Sequence, residues 1–103
     1  MNGEVRIEVE GFVFTWDAEK AVSNLNKHGV SFGEALEVVF DAYYQAEDAG
    51  VADEDRYGII GYSHKNRLLY VVVTDAGDTG YRIISARLAT PKEKDRYEED
   101  NPA

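Results

Sequence analysis

"RLLYVVVTDAGDTGYRIISARLATPKE", residues 67–93, is the stretch whose reading decides the fold. From Leu68 to Val73 it is continuously apolar or aromatic, without a polar residue at alternate positions, which is the pattern of a strand buried on both faces. Such a strand belongs in the middle of a sheet. The Gly- and Asp-rich segment DAGDTG supplies a turn, and Tyr81–Leu88 reads as the next strand. Thr90, Pro91 and Glu93 then combine an N-cap, a proline at the first helical position and a glutamate at N3, which starts a last helix. Upstream, residues 56–63 form a third strand, joined to the central one through the turn His64-Lys65-Asn66.

Working towards the N-terminus, Val5, Ile7 and Val9 alternate with charged residues until Gly11, and Phe12, Phe14 and Trp16 alternate after it. This is either a hairpin or an extension followed by one strand. Asp17 is a good N-cap, Ala18, Ala21, Val22 and Leu25 follow at helical spacing, and Gly29 sits where a left-handed C′ residue belongs. The spacing predicts a helix over 18–28. Ser31 with Glu34 makes a capping box for a second helix, with an apolar stripe of Phe32, Ala35, Leu36, Val39 and Phe40. Residues 41–55 carry six acids and no base, lack a sustained period and match no EF-hand spacing, so they read as a solvated connection.

A chain of 103 residues is the size of one domain. The expected fold is α+β: an antiparallel sheet of three to five strands, two helices packed on its apolar face, and a C-terminal helix ending in an acidic tail at 100–103. The chain has no cysteine, so disulfides and thiolate chemistry are excluded, and no apolar run approaches the ~18 residues of a membrane span. These features suit a soluble, cytoplasmic protein with no membrane partner.

The net charge of −9 argues against nucleic acid, because phosphates are contacted mainly by Lys and Arg. Its distribution weakens that argument. Residues 1–55 hold three bases and thirteen acids, whereas residues 56–96 hold eight bases and four acids. Fields act over about one Debye length, ~8 Å at physiological salt, so a basic face on an acidic protein is physically reasonable.

If Ser63 faces Arg67 and Thr74 faces Tyr81, period two sorts the strands into faces. One holds Tyr57, Ile59, Leu69, Val71, Val73, Ile84, Ala86 and Leu88, and asks for helices. The other holds Arg56, Ile60, Tyr62, Leu68, Tyr70, Val72, Tyr81, Ile83, Ser85 and Arg87. Tyrosines among arginines suit single-stranded RNA, rings stacking on bases and guanidinium groups forking onto phosphates. Cross-strand Tyr–Arg pairing on a solvated face is the plainer alternative.

The ordered set FTWD (14–17), NLNKHGVSFGEA (24–35), RY (56–57), RLLYVVVT (67–74), RIISARLAT (82–90) with Glu93, and RYE (96–98) resembles the BrnT toxin family. The likeness spans residues 12–99, leaving an N-terminal extension of residues 1–11. It implies a RelE-like fold and a ribonuclease toxin of a type II toxin–antitoxin pair that needs no metal or other cofactor. It also implies neutralisation by a BrnA-like antitoxin with a ribbon-helix-helix portion, through which alone the pair would touch DNA. An alternative is a noncatalytic BrnT-like module that still binds its antitoxin. The family's polar signature falls on Lys27, His28, Arg56, Arg67, Ser85, Arg87, Glu93 and Tyr97. This chain departs from it in its acidity and in the mixed run Lys92-Glu93-Lys94-Asp95.

Metal-free RNA cleavage needs a base, an acid and donors for the phosphorane charge. Lys27, His28, Arg67, Arg87 and Glu93 are the catalytic candidates; Arg56, Tyr62, Tyr70, Tyr81, Ser85 and Tyr97 are the RNA-binding ones. His28 has the right intrinsic pKa range, although its position beyond Leu25 also fits a packed histidine bonded to a backbone carbonyl. Glu93 has a competing duty as the capping-box residue. Ser85 lacks a nucleophile-elbow glycine pattern, and His28 and His64 lack zinc-ligand spacing.

Overall fold

The computed structural model describes residues 3–50, 55–77 and 80–100. In chain order the elements are β1 (Glu4–Val9), β2 (Phe12–Asp17), α1 (Ala18–His28), α2 (Phe32–Ala35), a 3₁₀ turn (Leu36–Phe40), β3 (Gln45–Asp48), β4 (Arg56–Tyr62), β5 (Leu68–Asp75), β6 (Gly80–Leu88) and α3 (Pro91–Asp100). The tail at 101–103, residues 51–54 of the acidic connection and residues 78–79 of the DAGDTG turn lie outside the described residues. No helix among the described residues is long and apolar enough to cross a membrane.

The strands form one six-stranded sheet in the order β1-β2-β6-β5-β4-β3. β5 is interior, as its unbroken apolar run requires. The sheet exceeds the expected three to five antiparallel strands, and it is mixed. β1 and β2 form a hairpin, and β2 then pairs parallel to β6 through Val13–Gly80, Phe14–Tyr81 and Thr15–Arg82. That pairing joins segments far apart in sequence, so no turn residue announces it. β3 was hidden within the acidic connection because four residues at a sheet edge are too few to display a period.

Helix boundaries follow their caps. The Asp17 carboxylate accepts from the N–H groups of Glu19 and Lys20, and α1 ends at Gly29 with φ 71°, a left-handed conformation that costs glycine little. At α2 the expected capping box is only half made. Ser31 Oγ accepts from Glu34 N–H at 3.0 Å, but the Glu34 carboxylate turns inward to Arg67 and Ser63. The chain then tightens into the 3₁₀ turn, whose three-residue period adds Val38 to the buried row of Phe32 and Ala35.

The His64-Lys65-Asn66 turn sets Ser63 opposite Arg67 as expected, with Ser63 N–H donating to Arg67 O at 2.9 Å. The β5–β6 register differs. Asp75, not Thr74, faces Tyr81, and a bulge pairs Val73 with Ile83 but Val72 with Ser85, leaving Ile84 as the inserted residue. Tyr81 and Ile83 therefore turn onto the helix-bearing face. There Ile83 is buried with Phe14, Leu69 and Val71, and Tyr81 stacks on Phe14 at 6.1 Å.

The opposite face is also covered. α3 lies across it, and Ile60, Tyr70 and Tyr97 make a second small core with Tyr62, Leu68 and Val72 at its margin. Tyr70 is only 8% exposed, so the tyrosine face is not the open surface that the alternation suggests. Gly58 makes this possible: a Cβ there would lie 2.0 Å from the Tyr70 hydroxyl, so only glycine leaves room for the ring to cross β4.

α1 uses only part of its apolar spacing for packing: Ala21 lies against the core, but the larger apolar side chains turn away. Val22 and Leu25 are 61% and 49% exposed, and the buried residue of the helix is Asn24. β2 pairs with β6 only as far as Arg82, so among the described residues the rest of that β6 edge has no strand beside it. Asn24 fills the gap. Its Nδ2 donates to Ala86 O at 2.8 Å and Val30 O at 2.9 Å, while its Oδ1 accepts from Ala86 N–H at 3.2 Å. Replacing Asn24 by Ala strands buried backbone groups and is expected to lower stability by roughly 1–3 kcal/mol in urea unfolding. Asn24→Asp should be no better, because a carboxylate cannot donate to two carbonyls. An unchanged urea midpoint for both variants contradicts this role.

Candidate active site

The polar residues of α1 recur at helical spacing. Lys20, Ser23, Asn24 and Lys27 lie on one stripe, and Asn24 turns that stripe towards the open edge of β6. Between helix and strand runs a shallow groove of about 210 Å³, lined by these four residues with His28, Ile84 and Ser85. Two ammonium groups and an imidazole line it, and among the described residues no carboxylate does. Among the described residues the His28 imidazole has no hydrogen-bond partner, so the packed-histidine alternative lacks its backbone carbonyl.

The corner carrying Lys27 and His28 is held twice. Asn24 binds Val30 O, and Arg67 donates to Gly29 O at 3.0 Å. Arg67 also forks onto the buried Glu34 carboxylate, through Nε at 2.9 Å and through Nη2, while Ser63 Oγ donates to the same carboxylate at 2.7 Å. The Arg67 bonds hold the Glu34 carboxyl below its usual range against the opposing effect of burial, and Glu34 in turn raises the Arg67 pKa.

Arg87 belongs to a second cluster. Val72 faces Ser85 and Tyr70 faces Arg87, so Ser85 and Arg87 share the α3-bearing face two residues apart. The Arg87 guanidinium lies 4.5 Å from the centre of the Tyr70 ring. It donates to both Glu93 carboxylate oxygens, at 2.8 and 2.9 Å, and to Leu88 O. Glu93 also accepts from Thr90 N–H at 2.9 Å, so the capping box and the ion pair share one carboxylate. Its carboxyl is held below the usual range, chiefly by Arg87. Two of the five guanidinium N–H groups of Arg87 remain unused among the described residues.

Around this cluster Tyr97 donates to Asp41 at 2.7 Å and meets Tyr62 edge-on at 5.3 Å, while Tyr70 donates to Glu47 at 3.0 Å. Burial is the main cause that raises the Tyr97 and Tyr70 pKa values. The structure thus gathers Lys27, His28 and Ser85 in one groove, and Arg87, Glu93, Tyr70, Tyr62 and Tyr97 on the adjoining sheet face. Arg67 stands behind the groove. Tyr81 lies on the opposite face, and Arg56 pairs with Thr74 at the far end of β4 from Tyr62. Asn24, within the motif at 24–35, carries no local signal of its bonds to Ala86, and the spacing of Glu34 announces only a helix cap, not its pairing with Arg67.

A protein-family model described as "Ribonuclease toxin, BrnT, of type II toxin-antitoxin system" matches residues 16–93, a range that takes in α1, the β6 edge and Glu93. This chain belongs to the BrnT family. The match leaves β1 outside. The BrnT fold is also seen in a crystal structure of the Brucella abortus ribonuclease toxin BrnT at 1.1 Å resolution. It is 23% identical, with a TM-score of 0.57, over 73% of this chain and 92% of that one. No curated protein matches the chain.

The two Arg–Glu pairs make acid stability a test of this BrnT site. Because the Glu34 and Glu93 carboxyls are depressed in the folded state, their stabilisation is complete above the unfolded value of ~4.3 and is lost as pH falls through the lower folded values. The urea midpoint should therefore fall steeply below about pH 4. In Glu34→Gln that slope should lose up to about one proton's contribution. An identical slope in the variant removes Glu34 from the linkage.

Proposed function

We propose that this BrnT-family chain is a metal-independent endoribonuclease toxin of the cytoplasm, neutralised by a BrnA-like ribbon-helix-helix antitoxin through which the pair reaches DNA. One observation carries the reading: an otherwise acidic domain has a groove lined by Lys20, Lys27 and His28, with no carboxylate among its described lining residues, on the β6 edge two residues from Arg87. Such a concentration of positive charge suits a phosphodiester.

In metal-free cleavage the RNA 2′-oxygen attacks phosphorus while its proton passes to a base. The P–O5′ bond then breaks as an acid protonates the leaving oxygen, and a 2′,3′-cyclic phosphate remains. His28 is the proton-transfer group, worth typically ~10²- to 10⁴-fold. Lys27, Ser85 and the unused N–H groups of Arg87 stabilise charge on the phosphorane oxygens. Glu93 and Tyr70 set the plane of Arg87, and Arg67 acts as a positioning residue through Gly29. Tyr62, at the margin of the second core and backed edge-on by the buried Tyr97, is where a flanking base would stack. Arg56 and Tyr81 lie too far around the sheet to share this phosphate.

The bidentate engagement of Arg67 and Arg87 by carboxylates supports a second reading, a noncatalytic BrnT scaffold that retains antitoxin binding. Cleavage of a mixed-sequence RNA in EDTA separates the two. Wild type should cleave. His28→Ala should lose about 10²-fold or more. Arg87→Ala should lose about 10²- to 10³-fold, with partial rescue in Arg87→Lys because a point charge cannot replace the fork. No cleavage by the wild-type protein, alongside stable antitoxin binding, selects the scaffold.

A further inference from the structure

We propose that the pocket formed by Tyr44, Tyr57, Tyr81 and Asp75 receives an arginine side chain from a partner polypeptide. It lies apart from the groove, on the helix-bearing face, beyond the end of the cover that α2 and the 3₁₀ turn provide. The register builds it. Asp75 faces Tyr81 across β5–β6, Tyr57 faces Val73 two residues before Asp75, and Ala46 faces Ile59, so all these side chains point the same way. Together they enclose about 210 Å³. Tyr81 is fixed from behind by stacking on Phe14 and Phe12, and Phe12 meets Phe40 edge-on at 5.8 Å, which makes one wall rigid and aromatic.

Ring faces beside a carboxylate are complementary to a cation. The surrounding field has the same sign: Asp75 is the largest cause that raises the Tyr57 pKa, and Asp55 and Asp48 add to it alongside burial. A nucleotide would bring its phosphate against these carboxylates, so RNA is disfavoured although the rings are suited to bases. A guanidinium is preferred to an ammonium because it is planar, stacks on tyrosine and forks onto a carboxylate. The proposal does not rest on ribonuclease activity, since none of its residues lines the groove.

Aromatic-resonance NMR of the full chain, titrated with Nα-acetyl-arginine amide, tests it. Saturable shifts of the Tyr57 and Tyr81 rings are expected, with several-fold weaker binding of the uncharged isostere Nα-acetyl-citrulline amide. Asp75→Asn, at an exposed position and therefore safe for folding, should weaken the arginine derivative several-fold. Tyr57→Leu should weaken it about 2- to 5-fold, the usual worth of one exposed cation–π contact. Equal binding of the citrulline derivative, an unchanged titration in Asp75→Asn, or shifts of the same rings by a short oligouridylate would each overturn the assignment.

Discussion

β6 pairs with β2 for only three residues and then runs on with an open edge, and Asn24 closes it. A carboxamide presents a donor and an acceptor side by side, as a peptide group does, so it can take both Ala86 groups in place of a neighbouring strand. Its second N–H reaches Val30 beyond the helix end. One side chain thus joins α1, the corner after it and the strand that carries Ser85 and Arg87. It also explains why the helix turns Asn24, next to Ala21, to the sheet and leaves Val22 and Leu25 outside. The alternative would bury two leucine-like side chains but leave the Ala86 amide and carbonyl without partners, and an unmade buried hydrogen bond costs as much as an apolar contact returns.

The charge balance is resolved locally. Carboxylates outnumber bases across the chain, yet two of those that meet the arginines around the site are turned inward or occupied: Glu34 by Arg67 and Ser63, Glu93 by Arg87 and Thr90. With those acids committed, the lysines of α1 face the groove without a carboxylate among its lining residues. The net charge of −9 is therefore a poor guide to the field inside it.

Much of the fold was legible because its signals are local. Asp17, Gly29, Thr90 and Glu93 behave as caps, the turn at His64–Asn66 sets the β4–β5 register, and β5 is interior. The strand faces depart from simple alternation at one place, for a definite reason. A single inserted residue, Ile84, and a one-residue change at the turn rotated Tyr81 and Ile83 onto the helix side while Ala86 and Arg87 kept their places. A side-chain period of two carries no warning of a bulge.

By itself, the sequence determined where the helices begin, where α1 ends and which strand is central, since caps and apolar runs act over a few residues. Tertiary structure alone decided the parallel β2–β6 pairing, the burial of Tyr70 under α3, and the pairing of Arg67 with Glu34. Arg67 and Glu34 are 33 residues apart, and Asn24 and Ala86 are 62 apart. Contacts at such separations depend on how the whole sheet closes, and no local pattern encodes them.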